Sequence, residues 1–422
     1  MQLLPTLLAL TSIASAATAQ DWAQYHGPLG NRHAAGRITV RAFEDDAPKL
    51  DWTVPTKNGF SSFVVHSGRT FTLESDGDDE CIVARDATTG KDLWRERLGT
   101  AKYDGGGNAG TSDNDGGDGP RSTPSCDGER VYAFDARLVL HCFEASSGKL
   151  VFRHDLDEEF GGRNIRWQNA ASPLVEGDLV FVAGGGPGAS LIAFDKKTGE
   201  VRWKKHDELI THATPIAATI HGERQVIFYV QKGLVAVDPK TGDVRWRVSY
   251  PFRVSSAASP VVDGNLVYVS AGYGVGAATL EILRDGEGGP FETKLLWRKP
   301  NKLMNHWSTP VAKDGFLYGM FSFKKYGKGP VCCVDLRTGE TKWQEDGFGP
   351  GNCILVGDDL LALSDKGELV VIAATPEEYR EVTRKDVLRG KCWSTPAWSD
   401  GSVYVRSTVE GAKITLGPAT ER

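Results

Sequence analysis

Five nine-residue segments share one spacing: DATTGKDLW, EASSGKLVF, DKKTGEVRW, DPKTGDVRW and DLRTGETKW, ending at Trp94, Phe152, Trp203, Trp246 and Trp343. In each, an acidic residue (Asp86, Glu144, Asp195, Asp238 or Asp335) stands four before a glycine (Gly90, Gly148, Gly199, Gly242 or Gly339), and the aromatic follows four after it. An acidic side chain that caps a turn closed by glycine reads as a connection between two strands. A second signature, Ser or Thr followed by Pro, opens an apolar strand at Pro124, Pro173, Pro215, Pro260, Pro310 and Pro396. Its first four intervals are 49, 42, 45 and 50 residues, and the last, 86, holds two periods. The skipped member is GNCILVGDDLLALSDKGELVVIA, residues 351–373, which keeps the strand pattern without the proline.

Each period contains four short strands, as in SPLVEG, DLVFVAG, SLIAFD and VRWKK. One such sheet buries its faces poorly alone, so radial stacking of neighbours supplies the core. The expected fold is therefore all-β: an eight-bladed propeller of four-stranded antiparallel blades, with units beginning near residues 60, 123, 171, 213, 258, 308, 351 and 394. The eighth unit ends before a fourth strand, while Trp52 in KLDWTVP sits in fourth-strand context. Residues 49–55 are expected to join the C-terminal blade and close the ring, which removes an open sheet edge. The organisation is then a signal peptide over 1–19, an N-terminal extension over 20–48, the propeller over 49–418 and a tail over 419–422.

Residues 1–19 carry no charged side chain and contain LLPTLLALTSIASA followed by ATA. This reads as an export signal cleaved before Gln20, which predicts a periplasmic or secreted protein with no stable transmembrane segment after cleavage. A formal charge of −6, from 49 basic and 55 acidic side chains, argues against a nucleic-acid partner, which needs a concentrated positive field. The 49 glycines follow no G-X-Y period and belong in turns and wide loops. Seven cysteines are too few for a disulfide-held scaffold and read as buried small side chains. Cys332 and Cys333 point to opposite faces of a strand, which disfavours a bond between them.

The alternating D-x-x-T-G-x-x-x-W turns and S/T-P-x-x-x-x-G-x-x-Y/F strand starts, from about residue 49 to 418, resemble the pyrroloquinoline-quinone-type repeat propellers. DWAQYHGPLGNR at Asp21–Arg32, with DGPRSTP, GGRNIRW and AATPEEYRE, resembles more narrowly the exported propellers of planctomycete-type bacteria. The resemblance implies an eight-bladed ring with an axial pocket. It spans quinone-dependent alcohol and sugar dehydrogenases as well as a noncatalytic outer-membrane assembly protein, so it does not carry one activity. In the dehydrogenases, calcium, a catalytic aspartate, an arginine and a stacking tryptophan surround the quinone, and a loop holds a vicinal disulfide. Here GPVCCVDLRTG places Cys332 and Cys333 in a strand, and the calcium and base residues have no residue-by-residue match.

Repeat phase nominates a site. Three residues before the strand-starting prolines stand Arg121, Ala170, His212, Ala257, Trp307 and Trp393, where connections from different blades converge. Arg163, Asn164, Arg166, Trp167, Asn305 and His306 complete an aromatic, imidazole and guanidinium rim suited to planar or anionic ligands. Against this stands the structural alternative, in which Arg121 binds carbonyls and Trp307 and Trp393 plug the gaps between blades. His212 and His306, with Arg121 as charge stabiliser, are the weak catalytic candidates. Asp113, Asp115 and Asp118, in the loop YDGGGNAGTSDNDGGDGP, are weak calcium candidates, against a reading of the loop as a solvated cap. Residues 276–294 are expected to form another exposed loop.

The expected function is an exported scaffold that binds an envelope or extracellular protein, a glycan or a small molecule through its loop faces or axial pocket, with no assigned cofactor. The alternative is a quinoprotein oxidoreductase using pyrroloquinoline quinone and calcium.

Overall fold

The computed structural model describes residues 21–43, 48, 50–100, 119–254 and 256–419. Eight antiparallel sheets follow one another along the chain. Blade 3 gives the pattern: Leu174–Glu176, Leu179–Ala183, Leu191–Asp195 and Val201–Lys205 pair in sequence order. The expected closure is present, with Leu50–Pro55 pairing against Glu410–Thr415 as the fourth strand of blade 8. Blade 7 carries an additional short strand, His33–Ala34, parallel to Asn352–Val356.

Apolar clusters fill the gaps between neighbouring blades, as the failure of a single small sheet to bury both faces requires. Val131, Ala133 and Phe143 face blade 1 while Tyr132, Phe134 and Leu140 face blade 3. Cys332 packs toward blade 5 and Cys333 toward blade 7, so the alternation of the strand keeps the two thiols apart. All seven cysteines are buried and unbridged.

The two repeat signatures are the joints between blades. In D-x-x-T-G-x-x-x-W the acidic side chain closes the turn: Oδ1 of Asp195 accepts from the N–H groups of Lys197 and Thr198 at 2.9 Å. The glycine adopts positive φ and lies under the aromatic of the preceding blade. A Cβ on Gly242 would stand 2.7 Å from the Trp203 ring. Trp203 Nε1 then donates to Pro239 O at 2.8 Å, Trp94 to Ala145 O at 3.1 Å and Trp52 to Ala87 O at 3.1 Å. These bonds, with those of Trp297 to Leu336 O and Trp343 to Thr375 O, tie five blades to the next, including across the ring closure.

The hydroxyl of the S/T-P motif forms a belt around the axis. The N–H of Ser62 donates to Thr123 Oγ1, that of Thr123 to Ser172 Oγ and that of Ser172 to Thr214 Oγ1, at 2.8–2.9 Å. Ser259 continues it to Thr309 at 3.0 Å, and Thr395 N–H returns to Ser62 Oγ at 2.8 Å. The motif therefore satisfies inner-strand backbone donors that would otherwise be buried without partners.

One expectation fails. Residues 276–294 are not an exposed loop: Gly276–Arg284 and Phe291–Lys299 extend as a long hairpin, and only 285–290 turn. Gly286, Gly288 and Gly289 sit in that turn, so the glycines mark its tip and not its whole length. Among the described residues no helix is long and apolar enough to cross a membrane.

Candidate functional site

The two ends of the ring are built differently. One end carries the tight turns between first and second strands and the D-x-x-T-G turns between third and fourth strands. The other carries the connections between blades and the longer second-to-third-strand loops, such as 321–330 in blade 6. We call these the turn face and the wide-loop face.

The N-terminal segment closes the turn face. Trp22 O accepts from Val65 N–H at 2.9 Å and Ala23 O from Cys126 N–H at 2.8 Å, both at the turn-face ends of first strands. The segment then sends two side chains into the axis at the level of the hydroxyl belt. His26 Nδ1 accepts from Arg32 Nε at 3.1 Å, so its Nε2 carries the hydrogen and donates to Ser259 Oγ at 2.9 Å. The serine hydroxyl passes on to Thr214 O at 2.8 Å. Arg32, 1% exposed, also donates to Thr309 O, Asn352 Oδ1 and Thr395 Oγ1 at 2.7, 3.1 and 3.2 Å. Burial, and then the Arg32 charge, hold the His26 imidazole well below its usual range, so it stays neutral. Between this segment and the first strands of blades 4–6 lies a cavity of about 250 Å³, lined in part by Asn31, His33, Arg224 and Asp263.

The wide-loop face holds most of the residues nominated from the sequence, in two groups. Over blades 2–4, Arg121 Nη1 donates to Trp167 O, and His212 Nε2 donates to Gln168 O at 2.7 Å. Asn164 Nδ2 donates to Ala136 O and Gln168 Oε1 at 2.8 and 2.9 Å, while the Arg166 guanidinium lies 5.8 Å from the Trp167 ring. Arg163 and Arg166 are exposed. The helix Leu156–Phe160, capped by Asp155 and ended by Gly161 in the left-handed region, delivers this arginine-bearing loop. Beneath it, burial and the neighbouring Asp135 push the Glu80 carboxyl up to about 8.

The second group, toward blades 5–8, is aromatic. Trp393 stacks on Phe60 at 4.7 Å between centroids and lies against Trp307 at 4.6 Å, tilted by 31°. Tyr326 lies nearly parallel to Trp307 and Trp393, at 13° and 18°. His306 packs edge-on against Tyr273, Phe323 and Trp307. Burial and Lys324 push His306 down to about 3, and burial, Arg121 and His306 push His212 down to about 3. The nominated rim is thus divided between the two groups.

Asn305 does not belong to that rim. It is fully buried, accepting from Tyr268 at 2.6 Å and donating to Met320 O at 2.8 Å as a brace between blades 5 and 6. Asp113, Asp115 and Asp118 lie outside the described residues, among which no three His, Cys, Asp or Glu side chains gather as a metal site. Trp307 and Trp393 meet on the end of the ring, and Trp307 Nε1 donates to Pro350 O of the next blade connection at 3.2 Å.

Sequence reasoning missed Phe60, Tyr326 and Lys391 on this face, and His26 and Arg32 on the axis. Phe60 had a signal: Ser62 fills the Ser/Thr position of blade 1 in the belt, and Phe60 then falls in register with Trp307 and Trp393. The others lie outside the repeat.

Among solved structures, the chain is similar to a quinohemoprotein alcohol dehydrogenase from Comamonas testosteroni, with 14% identity, TM-score 0.67, and coverage of 97% of this chain and 82% of that one. It is also similar to the quinohemoprotein alcohol dehydrogenase ADHIIG from Pseudomonas putida HK5, at 12% identity and TM-score 0.62, covering 95% of this chain and 81% of that one. A third likeness is to BamB from Moraxella catarrhalis, at 12% identity and TM-score 0.57, covering 87% of this chain and 99% of that one. These likenesses carry the fold alone. No curated protein matches the sequence. A family profile described as outer membrane protein assembly factor BamB matches residues 78–345, most of the ring, and the chain therefore belongs to that repeat-propeller family.

Proposed function

We propose that the protein is an exported binding propeller that receives a ligand or partner on its wide-loop face. The observation that carries this reading is the division of the two ends. His26 and Arg32 fill the axis from the turn face, while guanidinium, imidazole and indole groups converge on the opposite end. Exposed arginines supply charge-assisted hydrogen bonds, and aromatic faces supply contact area at low entropic cost. The assembly-factor description of the family supports a protein or envelope component as partner, and the uncharged apolar N-terminal stretch supports a periplasmic or secreted location.

The test compares the two faces. Immobilised protein is exposed to envelope extract, and captured material is identified for Arg166→Ala and His306→Ala on the wide-loop face and for Lys197→Ala in a D-x-x-T-G turn. The first two lose the captured species and the third keeps it. Equal capture by all three removes the wide-loop face from the binding role.

A second reading, a quinone-dependent alcohol or sugar oxidoreductase, is favoured by the quinohemoprotein dehydrogenases that share the fold. The groups available to it are Arg121 as charge stabiliser and neutral His212 or His306 as base, with the quinone accepting hydride if bound. Trp307 and Trp393 close on each other at 4.6 Å, so a quinone would lie to one side of this pair and not between them. Stoichiometric retention of pyrroloquinoline quinone with calcium, together with alcohol-dependent dye reduction, would establish this reading; loss of both rejects it.

A further inference from the structure

We infer that the loops of blades 5 and 6 on the wide-loop face bind an acidic peptide segment of a partner protein. One bulky apolar side chain of the peptide sits in the groove between residues 251–254 and 271–275, and its carboxylates face Arg253, Lys302 and Lys324. The inference rests on the binding reading above and names the chemistry of its partner. The connections 250–254 and 300–307 and the second-to-third-strand loops 271–276 and 321–330 carry Arg253, Lys302, Lys324, Lys325 and Lys328, and no aspartate or glutamate. All five cations are exposed, and none forms an ion pair among the described residues. The chain as a whole has a formal charge of −6, so this block runs against its balance. Like charges gathered without partners repel one another, and a cleft rimmed by one sign focuses its field on an anion arriving from solvent.

The four segments meet in one surface. Lys324 Nζ lies 5.2 Å from the Tyr273 ring and 5.7 Å from the Phe323 ring, and those two rings stand 4.6 Å apart. Asn301 N–H donates to Gly274 O at 3.2 Å, which ties the connection that carries Lys302 to the Tyr273 loop. Pro251–Val254 and Ala271–Val275 enclose a groove of about 310 Å³. Phe252 and Ala271 are buried and Val254 and Val275 half-buried in its walls, while Arg253 and Tyr273 reach solvent. Apolar walls of this kind seat a bulky side chain, and such anchors carry much of the energy of a protein contact. Tyr273, Leu303 and Lys324 have φ of 54°, 52° and 53°. Bulky residues adopt this left-handed conformation at a cost, and strain of that sort gathers where groups are held in place for a ligand.

The other anionic surface to weigh is a membrane. Docking there takes several apolar side chains beside the cations, and Tyr273, 46% exposed, is the one large exposed apolar side chain of these loops. A concave groove with cations on its rim suits a peptide strand that alternates acids with an apolar residue, the pattern by which basic clusters read acidic motifs.

The experiment is fluorescence anisotropy of the whole protein with a labelled peptide of aspartate and glutamate around one phenylalanine. Two further peptides replace the acids by asparagine and glutamine, or the phenylalanine by glycine. The acidic peptide is expected to bind, and more weakly as salt rises. The amide peptide should bind about tenfold more weakly or less still, and the glycine peptide about tenfold more weakly, the loss of one buried apolar anchor. Arg253→Gln combined with Lys324→Gln should weaken the acidic peptide about tenfold, a few-fold for each exposed charge contact. Lys197→Gln combined with Lys240→Gln removes the same charge from exposed positions on the turn face and should leave the affinity unchanged. Both double variants alter exposed side chains only and should melt with the wild type, so a loss of binding is not a loss of fold. Equal affinity for the acidic and amide peptides, or for the phenylalanine and glycine peptides, overturns the inference, as do equal losses in the two double variants. Binding to phosphatidylglycerol vesicles without binding of the peptide also overturns it and makes the surface a membrane contact. Silence from every probe overturns it too, while the capture comparison above still decides the broader reading.

Discussion

The turn face and the wide-loop face use the same residue types for opposite ends. On the turn face, the Trp94 and Trp203 indole N–H groups meet carbonyls of the next blade, Asp195 closes its own turn, and Arg32 meets four partners. On the wide-loop face Trp393 keeps an unpaired N–H, His306 an unpaired nitrogen, and Arg166 extends outward. Polar groups that are fully satisfied hold a structure together, whereas a buried polar group without a partner costs free energy. Under the proposed function, stability belongs to one end and recognition to the other.

Arginine gives the sharpest way to break that division. Arg32→Ala leaves Thr309 O, Asn352 Oδ1 and Thr395 Oγ1 without their donor in the axis and should cost about 3 kcal/mol or more, at about 1–3 kcal/mol for each buried polar group left unpaired. Arg166→Ala, exposed on the other face, should stay within about 0.5 kcal/mol. Urea unfolding of both variants measures the contrast, and equal losses would end it.

A matched glycine pair is the next test. Gly199 and Gly188 have φ of 77° and 76°, but a Cβ on Gly199 would stand 2.6 Å from the Phe152 ring and one on Gly188 meets nothing within 4 Å. Both alanine variants carry backbone strain of about 1 kcal/mol, and Gly199→Ala should lose about 1–2 kcal/mol more from overpacking. Thermal melts of the pair isolate the joint between blades 2 and 3 from backbone conformation.

Acid should act on both faces through histidine. His26, His212 and His306 all have folded pKa values depressed by burial, so the unfolded chain takes up protons first as pH falls. Their contribution is complete well above the unfolded value near 6.5 and declines below it, by about 1.4 kcal/mol per pH unit for each histidine until its folded pKa is reached. His306→Gln should flatten the slope of stability between pH 6 and pH 4 by about one proton, measured by denaturant unfolding across that range. An unchanged slope would show that His306 is not held neutral.

The smallest effect belongs to the turns. Asp195→Asn keeps an oxygen to accept from Lys197 and Thr198 and should cost about 0.5 kcal/mol or less at neutral pH. Hydrogen bonds lower the Asp195 pKa, so the difference between wild type and variant should vanish as pH falls through the carboxylate range. A large loss at neutral pH would mean that the turn relies on charge.

Much of the ring was legible because its joints are local and recur. The spacing from Asp195 to Gly199 to Trp203 encodes a capped turn, a seat for the aromatic behind it and a reach to the blade ahead, and the same encoding returns elsewhere. Where it lapses, reading failed: blade 5 lacks the D-x-x-T-G turn, its hairpin was taken for a loop, and Trp246 turns to Gln225 of its own blade at 2.7 Å. The nominated rim was partly legible for the same reason. Repeat phase placed Arg121, His212, Trp307 and Trp393 on one face, but it could not distinguish Asn305, a buried brace, from its neighbour His306.

The sequence by itself determined the number of blades, their closure through residues near Trp52, and the chemistry of their joints, since each depends on contacts repeated within a period or between adjacent periods. Only the tertiary structure decided which non-repeating side chains meet. His26 and Arg32 enter a belt whose members run from Ser62 to Thr395, and Phe60 meets Trp393 only because the ring closes. Such contacts leave no spacing to read along the chain: they arise where the curvature of eight stacked sheets brings its ends and its axis together.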